Sequence, residues 1–394
     1  DMGRNLGDAH ALIHMRIGVP GEIRPGETRV AATPETVGKL VQKGRHTCIV
    51  QSNAGTAASI PDASFEAAGA VIVPHAADVY SQSDVILKVR VPESSELPLL
   101  RRGAILIGLL NPHDETAIEK LAKTGVTAFA LEAVPRITRA QTMDVLSSQA
   151  NVAGYKAVLI AANEYRRFMP LLMTAAGTVK AARVLVLGAG VAGLQAIATA
   201  RRLGAVVEAF DVRPAVKEQV ESLGARFIEV PASDAERGQA ETAAGYAREM
   251  SPEYRQRQAA LIAERAAAAD IVITTALVQG RPAPLLLSED TVKAMKPGAV
   301  IVDLAVEQGG NCALVERDRI IVAHGVRIVG YSNLPALLAA DASALYARNV
   351  LNFLQLLVNP ATGALEIDRN DEIIAATLVC ADGAPARKRE TSLA

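Results

Sequence analysis

The chain has 394 residues, 50% of them hydrophobic and 21% charged, with 41 Lys and Arg against 42 Asp and Glu. That length and apolar content argue against a single small module and against a disordered chain, and the near-zero charge balance argues against a surface built for nucleic acid. Three scattered cysteines, Cys48, Cys312 and Cys380, cannot make a disulfide framework, so the chain reads as cytoplasmic and reduced.

Residues 1–14 lack the apolar core of a signal peptide and read as an extension or artificial remnant outside the fold. From residue 15 short apolar runs alternate with helix-like segments. Strands are expected at 16–19, 46–50, 70–73, 85–89, 104–110 and 127–131, and helices at 34–43, 64–68 and 114–123. This rhythm predicts a parallel sheet with crossover helices. The pattern breaks over 132–144, a polar stretch with arginines, and a long helix is expected over 145–168. A second alternating series follows, with strands at 183–187, 206–210, 226–230, 271–274, 300–304 and 327–329, and then a helix over 336–358. The expected class is therefore α/β, with two Rossmann-like domains of parallel strands joined by long bridging helices. Residues 15–140 with 335–394 form the first lobe and 145–330 the second. No apolar run is long enough to cross about 30 Å of hydrocarbon.

The strongest local motif is Gly188-Ala189-Gly190-Val191-Ala192-Gly193, placed directly after an apolar strand and directly before a helical segment. The first glycine permits a tight turn, the second lets backbone approach a pyrophosphate, and the third lets helix pack on strand. The helix N-terminus adds unpaired N–H groups and partial positive charge. The next strand ends at Asp211, about 20 residues on, where an acid accepts hydrogen bonds from an adenosine ribose and repels a 2′-phosphate. The site therefore favours NAD(H) over NADP(H), with Arg213 leaving some room for the phosphate. A glycine turn without a ligand is the plainer alternative.

Other segments carry a resemblance. RPGETRVAATPE (24–35), PRITRAQTMDVLSSQANVAGYKAV (135–158), MTAAGTVKAARVLVLGAGVAGLQAIATA (173–200), DVRPAVKEQVESLGA (211–225), AETAAGYAREM (240–250) and MKPGAVIVDLAVEQGGNC (295–312) resemble the NAD(H)-binding portion of the alpha subunit of proton-translocating NAD(P) transhydrogenases. That family shares its two-domain fold with alanine dehydrogenase. The resemblance runs from about residue 15 to 353, and it makes 145–330 the NAD(H)-binding domain.

It implies a nicotinamide-side loop in which Arg136, Gln141 and Asp144 gather near the reacting ring, with Ile137, Thr138, Thr142, Met143 and Ser147 alongside. Around the glycine motif it implies a nucleotide set of Val186, Gly188, Gly190, Val191, Ala192, Gly193, Asp211, Val212, Arg213, Ala276 and Leu277. The long insert 231–258 resembles a mobile loop that closes over NAD(H), with Gly245 and Tyr246 at its tip and Met250 as a further apolar contact. A plainer reading leaves 136–144 as a solvated loop with Asp144 capping the next helix, and the insert as an ordinary surface loop.

The resemblance implies hydride transfer between NADH here and NADP⁺ on a partner subunit, coupled to proton translocation in membrane-spanning subunits. It also implies a homodimer, held to the cytoplasmic face of the inner membrane by its partners. The polar tail, with Arg387-Lys388-Arg389, is a candidate contact with them. Carbon-to-carbon hydride transfer needs no general acid, so positioning and exclusion of water are the main tasks.

The rival reading is an alanine dehydrogenase. It keeps counterparts of two basic substrate residues in Arg29 and Lys88, but its histidine falls on Asn111 or a shifted His113, and its carboxylate loop reads 306–310 with Glu307. A non-catalytic NAD-binding module is a third possibility. His10, His14, His46, His75 and His324 show no metal-ligand spacing, so no metal is expected.

Overall fold

The computed structural model describes residues 14–42, 46–231, 250–278 and 281–386. The chain divides into two compact units, residues 1–149 with 338–394 and residues 150–337. Strands are numbered along the chain.

In unit 1, β1 (Met15–Val19), β2 (His46–Gln51), β3 (Val71–Val73), β4 (Val85–Arg90), β5 (Ile105–Leu109) and β6 (Thr127–Ala130) are parallel neighbours in the order β3-β2-β1-β4-β5-β6. This is the doubly wound order of a Rossmann fold. An antiparallel pair that the apolar rhythm did not announce, β16 (Leu378–Ala381) and β17 (Ala384–Pro385), extends the sheet beyond β6 to eight strands.

Strand residues alternate between two cores. Ile105, Ile107, Val85 and Leu87 join Phe129, Tyr346, Val350 and Phe353 on one face, whereas Leu106 and Ile86 join Tyr80, Ile118 and Leu121 on the other. Both faces are thus covered, as a parallel sheet requires. The helix Glu115–Thr124 begins at Asp114, whose side chain accepts the Ala117 N–H at 3.0 Å, and ends at Gly125 with φ +81°. The expected helix over 336–358 is Ala339–Leu356, and its Phe353 ring lies 5.5 Å from that of Phe129.

Unit 2 repeats the plan. Following the small hairpin of β7 (Leu172–Thr174) and β8 (Gly177–Val179), its sheet runs β11-β10-β9-β12-β13-β15-β14. These strands are β9 (Arg183–Leu187), β10 (Val206–Phe210), β11 (Arg226–Ile228), β12 (Ile271–Thr274), β13 (Val300–Asp303), β14 (Ile320–Ala323) and β15 (Val326–Val329). All pair in parallel except β14, which folds back on β15 through His324 and Gly325, both at positive φ (53° and 79°). Val184, Val186, Val207 and Ile273 face one core with Ala196 and Ile197, and Leu185, Leu187, Val272 and Ile301 face the other with Tyr254 and Ile262. The two cores hold the C-terminal ends of β9, β10 and β12 in register, which is where a Rossmann sheet places its ligand. Among the described residues no helix is long and apolar enough to cross a membrane.

Candidate functional site: a glycine turn, an acid and a polar loop

Beyond Leu187 the chain turns at Gly188, whose φ of +101° suits glycine and whose N–H donates to the Phe210 carbonyl at 2.8 Å. A Cβ there would also sit 2.6 Å from Thr275 Oγ1. At Gly193 a Cβ would overlap the Gly188 carbonyl, so the helix Val191–Arg202 can pack on the turn only with glycine at that place. Gly190 differs. Its φ is an ordinary −75°, and within 4 Å of a Cβ there the described residues offer only Arg213 Nη2, at 3.8 Å. Among the described residues that side of Gly190 is open, and as N-cap of the helix it has no side chain to accept the first N–H groups. Open backbone at a helix N-terminus is a form that suits an anion. Val191 and Ala192 start this helix half-buried, whereas Val186 lies wholly inside the core.

Asp211 stands just past β10 and is 9% exposed. Its Oδ2 accepts the Ala189 N–H at 2.7 Å, which ties it to the glycine turn, and its Oδ1 accepts the Arg213 N–H at 2.9 Å. The Arg213 guanidinium folds back onto the same carboxylate, Nε at 2.9 Å and Nη2 at 2.8 Å. Val212 between them is half-buried.

Past β12, Thr275 donates its hydroxyl to the Gly188 carbonyl at 2.9 Å. Ala276 follows, its backbone held by the buried amide of Asn311, and Leu277 is 42% exposed. Asn311 belongs to a loop organised by Asp303, whose carboxylate accepts the N–H groups of Ala305, Asn311 and Cys312 at 2.7–2.9 Å. Burial raises the Asp303 pKa above its ordinary value against the pull of those donors. In the sequence, 309–312 (GGNC) figures only within the resemblance, and nothing there singles out Asn311 or Asp303.

The second group of expected residues lies in unit 1. Thr138–Met143 forms a 3-10 helix, with Arg136, Thr138, Gln141 and Thr142 exposed, Ile137 half-buried and Met143 in the core. The Thr142 carbonyl accepts Nδ2 of Asn349 at 2.8 Å and of Asn352 at 3.1 Å, and Arg139 pairs with Asp371 at 2.7 Å. Asp144 accepts the Ser147 N–H at 2.9 Å and its hydroxyl at 2.6 Å. It therefore caps the long helix Val145–Tyr165, the plainer of its two expected roles. Gly245 and Tyr246 lie outside the described residues, as do residues 1–13 and the 387–389 basic run. Met250, read as an apolar contact of the insert, is buried against Ile228, Val230 and Tyr254.

The residues shared with the rival reading are already charge-paired. Lys88 is fully buried, its Nζ 2.7 Å from Glu96 and 3.4 Å from Glu22. Arg29 binds both oxygens of Glu27 at 2.7 Å. Burial would raise the Glu27 pKa, but the Arg29 bonds and the Arg29 and Arg90 charges outweigh it and hold it at about 2. Glu22 is raised by burial despite Lys88. Asn111 lies two residues past β5 at φ 52°, its N–H on Glu132, and His113 is exposed on the following turn. Glu307 is exposed and pairs with Arg317 at 3.3 Å. Among the described residues no group of three His, Cys, Asp or Glu side chains is placed to hold a metal ion.

Comparison with known proteins gives a consistent picture. The family model described as alanine dehydrogenase/PNT, N-terminal domain, matches residues 18–153, and the C-terminal domain of the same family matches 157–388. The first part of the NAD(P) transhydrogenase alpha subunit of Rhodospirillum rubrum is 53% identical over 378 residues, covering 94% of this chain and 97% of the relative. A crystal structure of transhydrogenase from Sinorhizobium meliloti superposes with a TM-score of 0.84 at 50% identity, over 94% of this chain and 99% of that one. An L-alanine dehydrogenase structure follows at 0.78 and 28%, over 94% and 96%.

Proposed function

Because the chain belongs to the alanine dehydrogenase/PNT family, we propose that it is the NAD(H)-binding component of a proton-translocating NAD(P) transhydrogenase. Its partners are NADP(H)-binding and membrane-spanning subunits and a second copy of itself. The observation that carries the reading is the open side of Gly190 beside Asp211: a glycine whose Cβ the described residues leave room for, next to an acid suited to a ribose. The subunit designation of the relatives supports the partner chains.

Bound NADH supplies a hydride at C4 for NADP⁺ held on a partner. This chain's residues then bind and orient. The helix Val191–Arg202 offers its N-terminal N–H groups to the pyrophosphate, and Asp211 accepts the adenosine ribose hydroxyls once Arg213 yields. Gln141 and Ser147 orient the carboxamide, with Arg136 and Asp144 holding the loop. No group is required to move a proton.

The test is titration of the full chain with NADH and NADPH, then addition of an NADP(H)-binding transhydrogenase component, with hydride transfer followed on a spectrally distinct NAD analogue. Preference for NADH, with transfer only when the component is present, supports the reading. NAD⁺ reduction driven by alanine in the chain alone supports the dehydrogenase instead. Asn111 at the histidine position and the exposure of His113 weigh against that outcome.

A further inference from the structure

Asn311 is an amide with no exposed surface, and both ends of its side chain are committed. Its Oδ1 accepts the Ala276 N–H at 3.1 Å, while its Nδ2 donates to the Ala276 carbonyl at 2.9 Å and to the Pro284 carbonyl at 2.8 Å. Its backbone is fixed as well, the N–H on Asp303 Oδ2 at 2.7 Å and the carbonyl accepting the N–H groups of Leu286 and Leu287. A buried amide with every group paired grips one residue's N–H and C=O together, as a neighbouring strand would. Leu offers neither group at that place, and Asp offers acceptors alone.

What Asn311 grips is the first segment past β12. In a Rossmann sheet one mononucleotide half lies over β9, β10 and β11, and the other over β12, β13 and β15. Asp211 at the end of β10 marks the adenosine half, so Ala276 and Leu277 belong to the opposite half. Thr275 joins the two through its bond to the Gly188 carbonyl.

We infer that Asn311 is a positioning residue for the nicotinamide half of the dinucleotide, setting through the Ala276 backbone the wall against which that half lies. This rests on the NAD(H) reading above and adds a residue that touches no ligand. The consequence is a split in affinity. Loss of Asn311 weakens binding of the whole dinucleotide, while a ligand that fills the adenosine half alone is unaffected.

The experiment compares the full-length wild-type chain with N311A and the shape-conserving N311D, measuring dissociation constants for NADH and ADP by titration, with the emission spectrum of bound NADH as a second readout. Both variants are expected to bind NADH about tenfold more weakly and ADP within about twofold of wild type, with altered nicotinamide emission. Equal losses for ADP and NADH, no loss for either, or failure of both variants to fold would make Asn311 a residue of the fold alone and overturn the inference. Wild-type chain that does not bind NADH would instead overturn the dinucleotide reading itself.

Discussion

Arg213 closes back on Asp211, two residues before it, with two guanidinium contacts of 2.9 and 2.8 Å on a carboxylate that also holds the Ala189 N–H. Both carboxylate oxygens therefore have protein donors, and a ribose must share or displace the guanidinium. The same pairing keeps Arg213 from a 2′-phosphate. In D211N the charge that repels such a phosphate is gone and the guanidinium loses its ionic partner. NADH affinity is expected to fall about tenfold, the scale of one hydrogen bond to a charged group, while NADPH affinity holds or rises. Paired titrations decide it; an unchanged NADH-to-NADPH ratio would remove Asp211 from the specificity argument.

The glycines separate fold from ligand. G193A drives a methyl group into the Gly188 carbonyl and is expected to destabilise the chain by about 1–3 kcal/mol. G190A places its methyl group where described residues leave room, so its stability cost is only that of alanine at a helix N-cap, about 1 kcal/mol or less. Its NADH affinity is nevertheless expected to drop at least about tenfold, because the methyl group takes the space of a phosphate. Melting curves and NADH titrations on both variants suffice. Normal NADH binding by G190A would leave the open side of Gly190 without a ligand to explain it.

Asp144 caps a helix through Ser147, and its charge is free to serve a second purpose there. Asn caps as well as Asp, whereas Ala loses about 1 kcal/mol. D144N should therefore melt like wild type and D144A lower. If the charge also serves the site, hydride transfer in the presence of the NADP(H)-binding component falls about tenfold or more in both. Wild-type rates in D144N would confine Asp144 to capping.

The parts legible in the sequence are those written by local physics. Apolar runs gave β9, β10 and β12, and the glycine spacing with its acid gave the turn at Gly188 and the place of Asp211. Of the hairpin of β14 and β15 only the strand at 327–329 is among the expected elements; Ile320–Ala323 is as apolar, and its pairing depends on the reversal at His324 and Gly325, both at positive φ. Asn311 was invisible as a functional residue. Its partners Ala276 and Pro284 lie far away along the chain, and no periodicity marks an amide whose value is to pair with backbone. Lys88 likewise sits in an apolar run, and only Glu22 and Glu96, brought in by other segments, explain a cation with no exposed surface.

Glu27 gives a pH signature for unit 1. Burial opposes its ionisation, yet Arg29, with the charge of Arg90, brings its pKa from 4.5 to about 2. A carboxyl depressed in the folded state stabilises it fully above the unfolded value near 4.5, and that contribution is lost as pH falls through the window down to about 2. The shift corresponds to about 3 kcal/mol at neutral pH, of which about 1 kcal/mol should be gone at pH 4. Wild type compared with E27Q reads this term together with its coupling to Glu22, whose raised carboxyl feels the Glu27 charge, while the raised Glu132 is common to both chains. Urea unfolding is expected to find E27Q less stable at pH 7, with the gap narrowing on acidification. A gap that stays constant from pH 7 to pH 4 would mean that Glu27 does not titrate with the fold, and that the Arg29 pair contributes packing rather than charge.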